Sequence, residues 1–511
     1  MAIKELAMPK YLLGTDNGGT VAKAGLFTTE GEEIAVAGRK AEMVTPKPGH
    51  TERDVEGLWQ ATAEAIREVI ETSGVSPADI VGVCPAGHGN GLYLVDEQGQ
   101  PVRPGIYSTD SRAKDYIAKW SADGIDKKIL PKTTQCIWPA QPNALLAWLR
   151  DNEPETMQRA KWVLMCKDYI RFRLTGEIHA EMTDYSGTSL MNVVTGEYDM
   201  DVLEAFGISE MRDLLPPLVA SEQITGKVTA EAAKATGLAE GTPVAGGLFD
   251  IDACGLASNI TDPSQLCMIA GTWGNNQYIW KEPVVSQDVF MTSRYCIPGY
   301  YLILEGSATS ASNLEWFVTQ LFEAEAEKAE QEGRSIYDVC SDWVSQTKPE
   351  DSNILFIPFL YGSNADPDAK ACLLGLSGWH NRGHMLRAIY EGVVFGHKTH
   401  VNKLLQFRDM PSAIHLTGGV ARSETWVQIF ADIFQVPVEI PAGTELGALG
   451  AAICAAVATG VYPSYADACK AMVKIARVQE PNPENAELYA KKFERYEKAI
   501  GALEAVWSDL S

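Results

Sequence analysis

Two segments of the same plan, half a chain apart, constrain the fold more than any other feature of this sequence. Tyr11-Leu12-Leu13-Gly14-Thr15-Asp16-Asn17-Gly18-Gly19-Thr20 leads through Lys23 into Ala24-Gly25-Leu26-Phe27. Leu266-Cys267-Met268-Ile269-Ala270 leads through the Gly271-Thr272 turn into Gly274 to Trp280. Each reads as strand, glycine turn, strand, and the repeat predicts two related domains facing each other. In the first turn, Gly18 and Gly19 let backbone N–H groups close on a phosphate, and successive amides form a concave anion site. Thr20 adds a hydroxyl, and Asp16 is a hard oxygen group able to hold Mg²⁺, directly or through water. Lys23 either approaches the phosphates or is solvated on the hairpin. The turn is not a Walker loop, because no Gly-Lys-Ser/Thr closes it. Taken alone it also reads as a ligand-free tight turn, the weaker alternative; its partner gives it weight, since a nucleoside triphosphate could be clamped between two such domains.

Charge and cysteine usage narrow the class. The chain has 511 residues, long enough for two or three domains. A net charge of −24 argues against broad nucleic-acid binding, which needs a basic face. Phosphates must then be held locally, by amides, Mg²⁺ and a few amines. Ten cysteines lack CxxC spacing and read as small apolar filler in a reducing cytoplasm. Lys4, Glu5 and Lys10 interrupt the first apolar stretch, so no secretory signal is expected. The uncharged run from Leu446 to Tyr462 is short and rich in Ala and Gly, and reads as a buried helix rather than a membrane span.

Along the chain, an α/β alternation is legible. A helix begins near Asp54, with Val55, Leu58, Trp59, Ile66, Val69 and Ile70 on one face, and stops at Gly74. Ile80 to Val83 is a buried strand entering Pro85-Ala86-Gly87-His88-Gly89-Asn90-Gly91. Open α/β sheets place ligands at such strand ends. Helices are expected from Gln141 to Arg150, around Tyr169, and from Met385 to Leu405, with strands over Ile354 to Leu360 and Ala413 to Leu416. The acidic stretch Glu323 to Glu332 reads as a solvated helix. A domain change is expected near Gly246-Gly247-Leu248-Phe249-Asp250, giving domains 9–249 and 250–500. Thr417-Gly418-Gly419 opens a helix through Ser423 and suits a nucleotide's phosphate or ribose.

With these motifs in place, the sequence resembles the FGGY family of carbohydrate kinases. Ala371-Cys372-Leu373-Leu374-Gly375-Leu376, seven residues, then His384 to Gly392 fill a family signature. The Asp16 hairpin, the Gly271-Thr272 turn, the Gly418-Gly419 loop and Glu445-Leu446-Gly447-Ala448 follow in family order. The resemblance implies an α/β fold of two actin-like (ribonuclease H-like) ATPase domains with an active-site cleft between them. It implies ATP-dependent phosphorylation of a sugar or polyol hydroxyl, with Mg²⁺, in a cytoplasmic enzyme that is a possible homodimer and binds neither nucleic acid nor membrane. The family's catalytic base falls on Asp250, whose other reading is a helix cap; Asp252 is the structural neighbour. Gly18, Gly19, Thr20, Lys23, Gly271, Thr272, Gly418, Gly419 and Ser423 are the expected nucleotide residues, and Asp16 the metal residue. Trp273 replaces a serine often found there, and Trp316 reads as packing.

Substrate residues carry over with departures. His88-Gly89-Asn90-Gly91 stands where xylulose kinases read Gln-Met-His-Gly, and Ser108 replaces the Trp of a Trp-x-Asp-x-Arg motif, with Asp110 and Arg112 kept. Together with Trp138 and Glu305-Gly306-Ser307, the set is similar in character to the family's bacterial L-xylulose kinases. His88 and Asn90 are expected to hydrogen-bond sugar hydroxyls, with Asp110 beside them, and Trp138 to pack on the carbon chain. The competing readings are a core histidine, a structural Asp110–Arg112 pair and a core tryptophan. A pentulose such as L-xylulose is the expected acceptor. D-xylulose, ribulose, glycerol and erythritol are alternatives, and an actin-like ATPase chaperone a remote one.

Overall fold

The computed structural model describes residues 10–363 and 368–510; Lys4, Glu5 and the first residue of the expected 9–249 domain lie outside them. Packing divides the chain into two units. The first comprises residues up to Thr261 with Ile279–Ile303 and Gly443–Lys474; the second comprises Asp262–Tyr278, Leu304–Ala442 and Ile475 onward. This differs from a single cut between 249 and 250, because a late segment returns to the first unit.

In the first unit, β1 (Tyr11–Asn17) and β2 (Val21–Thr28) form the expected antiparallel hairpin, with Asp16 opposite Lys23. β3 (Glu33–Lys40) pairs with β2. On the other side β1 runs parallel to the strand Ile80–Gly87, which continues to Pro243–Ala245 and Ile224–Lys227. The helix α1 (Val55–Ser73) covers β2 and β3 and starts and stops where its chemistry dictates. Asp54 accepts the Glu56 N–H at the N-cap, and Gly74 closes the helix at φ 67°. Val55, Leu58, Trp59, Ile66, Val69 and Ile70 are buried, as their helical spacing predicts.

The Ala/Gly-rich run forms the buried helix Leu446–Ala458, packed on β1 and on the helix Asp250–Ala257. Backbones meet closely there: a Cβ at Gly14 would overlap Ala448, and one at Gly450 would overlap Ala253. That packing draws 443–474 into the first unit. Among the described residues no helix is long and apolar enough to cross a membrane.

The second unit repeats the hairpin plan. Leu266–Ala270 pairs antiparallel with Gly274–Trp280 and parallel with Ile414–Thr417, and the sheet continues to Val438–Pro441 and Ile475–Gln479. The helices Arg382–Leu404 and Glu424–Phe434 pack together. The expected strand Ile354 to Leu360 shortens to Leu355–Ile357, since Pro358 has no N–H to donate to a ladder. The acidic stretch is the helix Glu323–Gln331, with only Ala329 buried. Trp316, expected to pack, is 38% exposed and meets the Phe317 ring in a T-shaped contact.

Candidate active site

Three parallel strands of the first unit end side by side. β1, Ile80–Gly87 and Leu248–Phe249 pair so that Asn17 and Phe249 both lie opposite Gly87. Asp16 is the penultimate residue of β1, His88 follows the second strand, and Asp250 follows the third as the first residue of its helix. The carboxyl ends of parallel strands therefore gather residues separated by 72 and 162 positions in sequence.

Asp16 sits against the start of the Leu446–Ala458 helix. A Cβ at Gly447 would overlap its Oδ2, so only glycine leaves room for this carboxylate. Its Oδ1 is buried with no hydrogen-bond partner among the described residues. Burial pushes its pKa up to about 6; Lys23 lowers it and Glu445 raises it. Lys23, the expected phosphate amine, is ion-paired at 2.7 Å with Glu445, a partner the sequence reading did not find.

The proton affinity of Asp250 is raised. Burial raises its pKa well above the ordinary carboxylate value, and Asp16 and Asp184 raise it further, against a hydrogen bond from the Ile251 N–H. Asp184 itself is pushed up to about 7, chiefly by burial, with Lys167 opposing. Its Oδ1 accepts the Asn90 N–H at 3.3 Å and its Oδ2 lies 3.5 Å from Lys167 Nζ. Lys167, fully buried, also lies 3.3 Å from both Asp168 and Glu181. This charged cluster carries no local sequence pattern and was missed. Asp252, expected to be the structural neighbour, accepts the Cys296 N–H at 3.2 Å through Oδ1, and its buried Oδ2 has no partner among the described residues.

The sugar-loop candidates separate sharply. His88 is committed within the protein: Nδ1 faces the Gly89 carbonyl at 3.3 Å and Nε2 the Tyr93 hydroxyl at 2.9 Å. Burial, and then Arg53, hold its pKa down to about 3, so the ring is neutral. Nδ1 then carries the proton and Nε2 accepts. Asn90 is in the left-handed region at φ 58°, and its buried Oδ1 has no partner among the described residues. An orphaned buried amide oxygen is costly unless a ligand satisfies it. Asp110 is fully engaged, accepting from Thr51 N–H at 2.7 Å and from Arg112 through its backbone N–H, Nε and Nη2, each at 2.9 Å. Trp138 is partly buried, its ring 5.8 Å from Phe290.

The second unit holds a cavity of about 540 Å³ whose walls include Gly271, Thr272, Gly419 and Ser423. Four of the five nucleotide residues expected in this unit thus meet, and the volume suits a nucleoside. Gly418 shapes the turn from behind: at φ 92° it is strained for any other residue, and a Cβ would overlap Ala270. Ser423 caps the following helix through the Trp426 N–H and contacts Ser341 Oγ at 2.8 Å. Tyr337, Asp338, Ser341, Tyr390 and Arg422 also line this cavity and were not anticipated.

The two remaining glycines permit a direct test. A Cβ at Gly271 meets no heavy atom nearer than 3.9 Å, and one at Gly419 meets none within 4 Å. Valine at either position is therefore compatible with the fold but intrudes on the cavity. Calorimetry should show weakened ATP-analogue binding with an unchanged melting temperature; unchanged affinity would make these turns purely structural.

Comparison with known proteins gives matches along nearly the whole chain. Profiles described as the N-terminal and C-terminal domains of the FGGY family of carbohydrate kinases match residues 11–256 and 266–459. The L-xylulose/3-keto-L-gulonate kinase of Escherichia coli is 38% identical over 499 residues, covering 97% of this chain and 98% of the relative. A probable L-xylulose kinase of Pasteurella multocida is also 38% identical, covering 97% and 99%. The crystal structure of xylulose kinase from Rhodospirillum rubrum superposes with a TM-score of 0.86 at 27% identity, covering 98% of this chain and 100% of that one.

Proposed function

The chain belongs to the FGGY family of carbohydrate kinases, and from that premise we propose that its preferred acceptor is a ketopentose, L-xylulose first. It is a sugar kinase, transferring the γ-phosphoryl group of ATP to a sugar hydroxyl. The observation that carries the substrate reading is the near-full-length 38% identity to proteins named as L-xylulose kinases.

In the mechanism we infer, Asp250 accepts the proton of the attacking hydroxyl. Phosphoryl transfer has a loose transition state, so alignment dominates and the proton leaves late. A carboxylate whose proton affinity is raised by burial is a stronger base than an ordinary one. Asn90 offers its unpartnered amide oxygen to a sugar hydroxyl. Neutral His88, held by Tyr93 and Gly89, shapes the loop that presents Asn90. The backbone amides of Gly18, Gly19 and Thr20 form an anion site in the first unit, and in the second unit the cavity walled by Gly271, Thr272 and Gly419 suits a nucleoside.

Asp16 fits a Mg²⁺ site, since it presents an unpartnered buried oxygen beside a helix start that only glycine can occupy. Among the described residues no three His, Cys, Asp or Glu side chains form a metal cluster. Mg²⁺ in phosphoryl-transfer sites takes one or two carboxylates and completes its shell with phosphates and water. Asp16 would hold the ion, which when bound would supply positive charge to the phosphates. The same reading places the enzyme in the cytoplasm, with a homodimer as the form to test by sedimentation.

The test is a coupled ADP assay across L-xylulose, D-xylulose, ribulose, a keto-sugar acid, glycerol and erythritol. L-xylulose should give the highest kcat/KM. A site that hydrogen-bonds particular hydroxyls rejects an epimer that leaves them unpaired by up to several kcal/mol, about 10²-fold or more. Efficient turnover of glycerol or erythritol with none of any pentulose would overturn the acceptor. Asn90→Ala should raise the sugar KM by about tenfold, the loss of one hydrogen bond of about 1.4 kcal/mol, with the ATP KM unchanged.

A further inference from the structure

The buried guanidinium of Arg53, so far met only as a charge that lowers the His88 pKa, also reaches the phosphate turn. Arg53 lies on the short strand Glu52–Arg53 and is 1% exposed. Its Nη1 donates to the Gly18 carbonyl at 3.3 Å, and its Nη2 donates to the Gly19 carbonyl. Its guanidinium carbon stands 5.3 Å from the centre of the Tyr107 ring. The Tyr107 hydroxyl in turn fills the space beside Gly19, 2.5 Å from where a Cβ would be. The contact spans 35 positions in sequence, which is why no motif announced it.

Peptide geometry gives this contact a direction. In a trans peptide the C=O and the following N–H point to opposite sides. With the Gly18 and Gly19 carbonyls both turned to one guanidinium, the N–H groups of Gly19 and Thr20 face the other way. Neither finds an acceptor among the described residues. Two adjacent N–H groups aimed alike make an anion-binding concavity. No Asp or Glu among the described residues lies within salt-bridge distance of Arg53, and its Nε is buried without a partner. An unneutralised buried cation is unfavourable on its own and is relieved by an anion arriving nearby.

We propose that Arg53 is the positioning residue of the phosphate turn: its two-pronged guanidinium holds the Gly18 and Gly19 carbonyls so that the Gly19 and Thr20 amides are preset toward phosphate. The proposal rests on the reading of residues 18–20 as a phosphate site. Lysine cannot replace this arrangement, because an ammonium is a point donor and the two carbonyls need a planar fork.

The test uses the full-length enzyme and compares Arg53→Ala, Arg53→Lys and Gly18→Val. Gly18 is outside the left-handed region, and a Cβ there meets nothing nearer than 3.7 Å, so valine alters the phosphate face without breaking the fold. Arg53→Ala should lower kcat by about 10²-fold, the scale for losing one preorganised donor in an anion site, with the sugar KM moving much less. Guanidinium at low millimolar concentration should restore part of that kcat, and methylammonium should not. Arg53→Lys should fold and remain impaired. Impaired Gly18→Val with full kcat in Arg53→Ala or Arg53→Lys overturns the role of Arg53 alone. Normal kcat in Gly18→Val overturns the phosphate-turn reading beneath it. A folded, impaired Arg53→Ala that guanidinium leaves unchanged also overturns the positioning role.

Discussion

Asp250→Asn should lower kcat by about 10²–10⁴-fold, the range for removing a positioned general base. The amide keeps the size of the carboxylate but cannot take a proton. ATP affinity should stay near the native value, since Asp250 is not among the residues that line the nucleoside cavity. The pH profile adds a check. Asp250 acts as base only when ionised, and burial with Asp16 and Asp184 raises its pKa well above the usual carboxylate value. Activity should therefore be lost as pH falls through an apparent pKa well above 4, the ordinary carboxylate value. That limb belongs to the coupled carboxylates rather than to one residue alone. Asp184→Asn removes a like charge and should move the limb to lower pH. A limb that stays in place would remove Asp184 from the electrostatics of the base.

Asp16→Ala should lower activity by about 10²-fold at ordinary Mg²⁺, a few kcal/mol of charge stabilisation at the phosphates. Higher Mg²⁺ should restore part of it. The structural reason is specific: Oδ1 is a buried acceptor without a partner, and Oδ2 occupies the space that Gly447 leaves open. A residue that only shaped the turn would be expected to have its oxygens satisfied. Since Asp16 also raises the pKa of Asp250, the acid limb of the variant should fall to lower pH. Full activity without added Mg²⁺ dependence would leave Asp16 as a turn residue.

What the sequence disclosed followed the reach of each interaction. The caps of α1 at Asp54 and Gly74 were legible because capping is local chemistry. The two hairpins were legible because strand and turn are contiguous. The burial of 446–458 could be read from its Ala and Gly content, but not the strand it docks on. Pairings across long separations left no periodic trace: Glu445 with Lys23, Arg53 with Gly18 and Gly19, and Lys167 with Asp184. The sugar loop shows the limit most clearly. His88 and Asn90 are two residues apart, yet one is satisfied by its own fold and the other is left with an open acceptor. Only side-chain geometry separates them, as it separates the engaged Asp110 from the strongly perturbed Asp250.

The central claim is that this chain couples ATP cleavage to a sugar hydroxyl, and one measurement addresses it directly. ADP release should be followed with ATP and Mg²⁺ present and L-xylulose alternately supplied and withheld, in the native enzyme and in Asp250→Asn. The account predicts rapid ADP release only with the sugar, matched mole for mole by sugar phosphate, and little release from the variant under either condition. ADP release by the native enzyme at the same rate without any sugar would contradict it, and would point to an ATPase whose turnover serves another end.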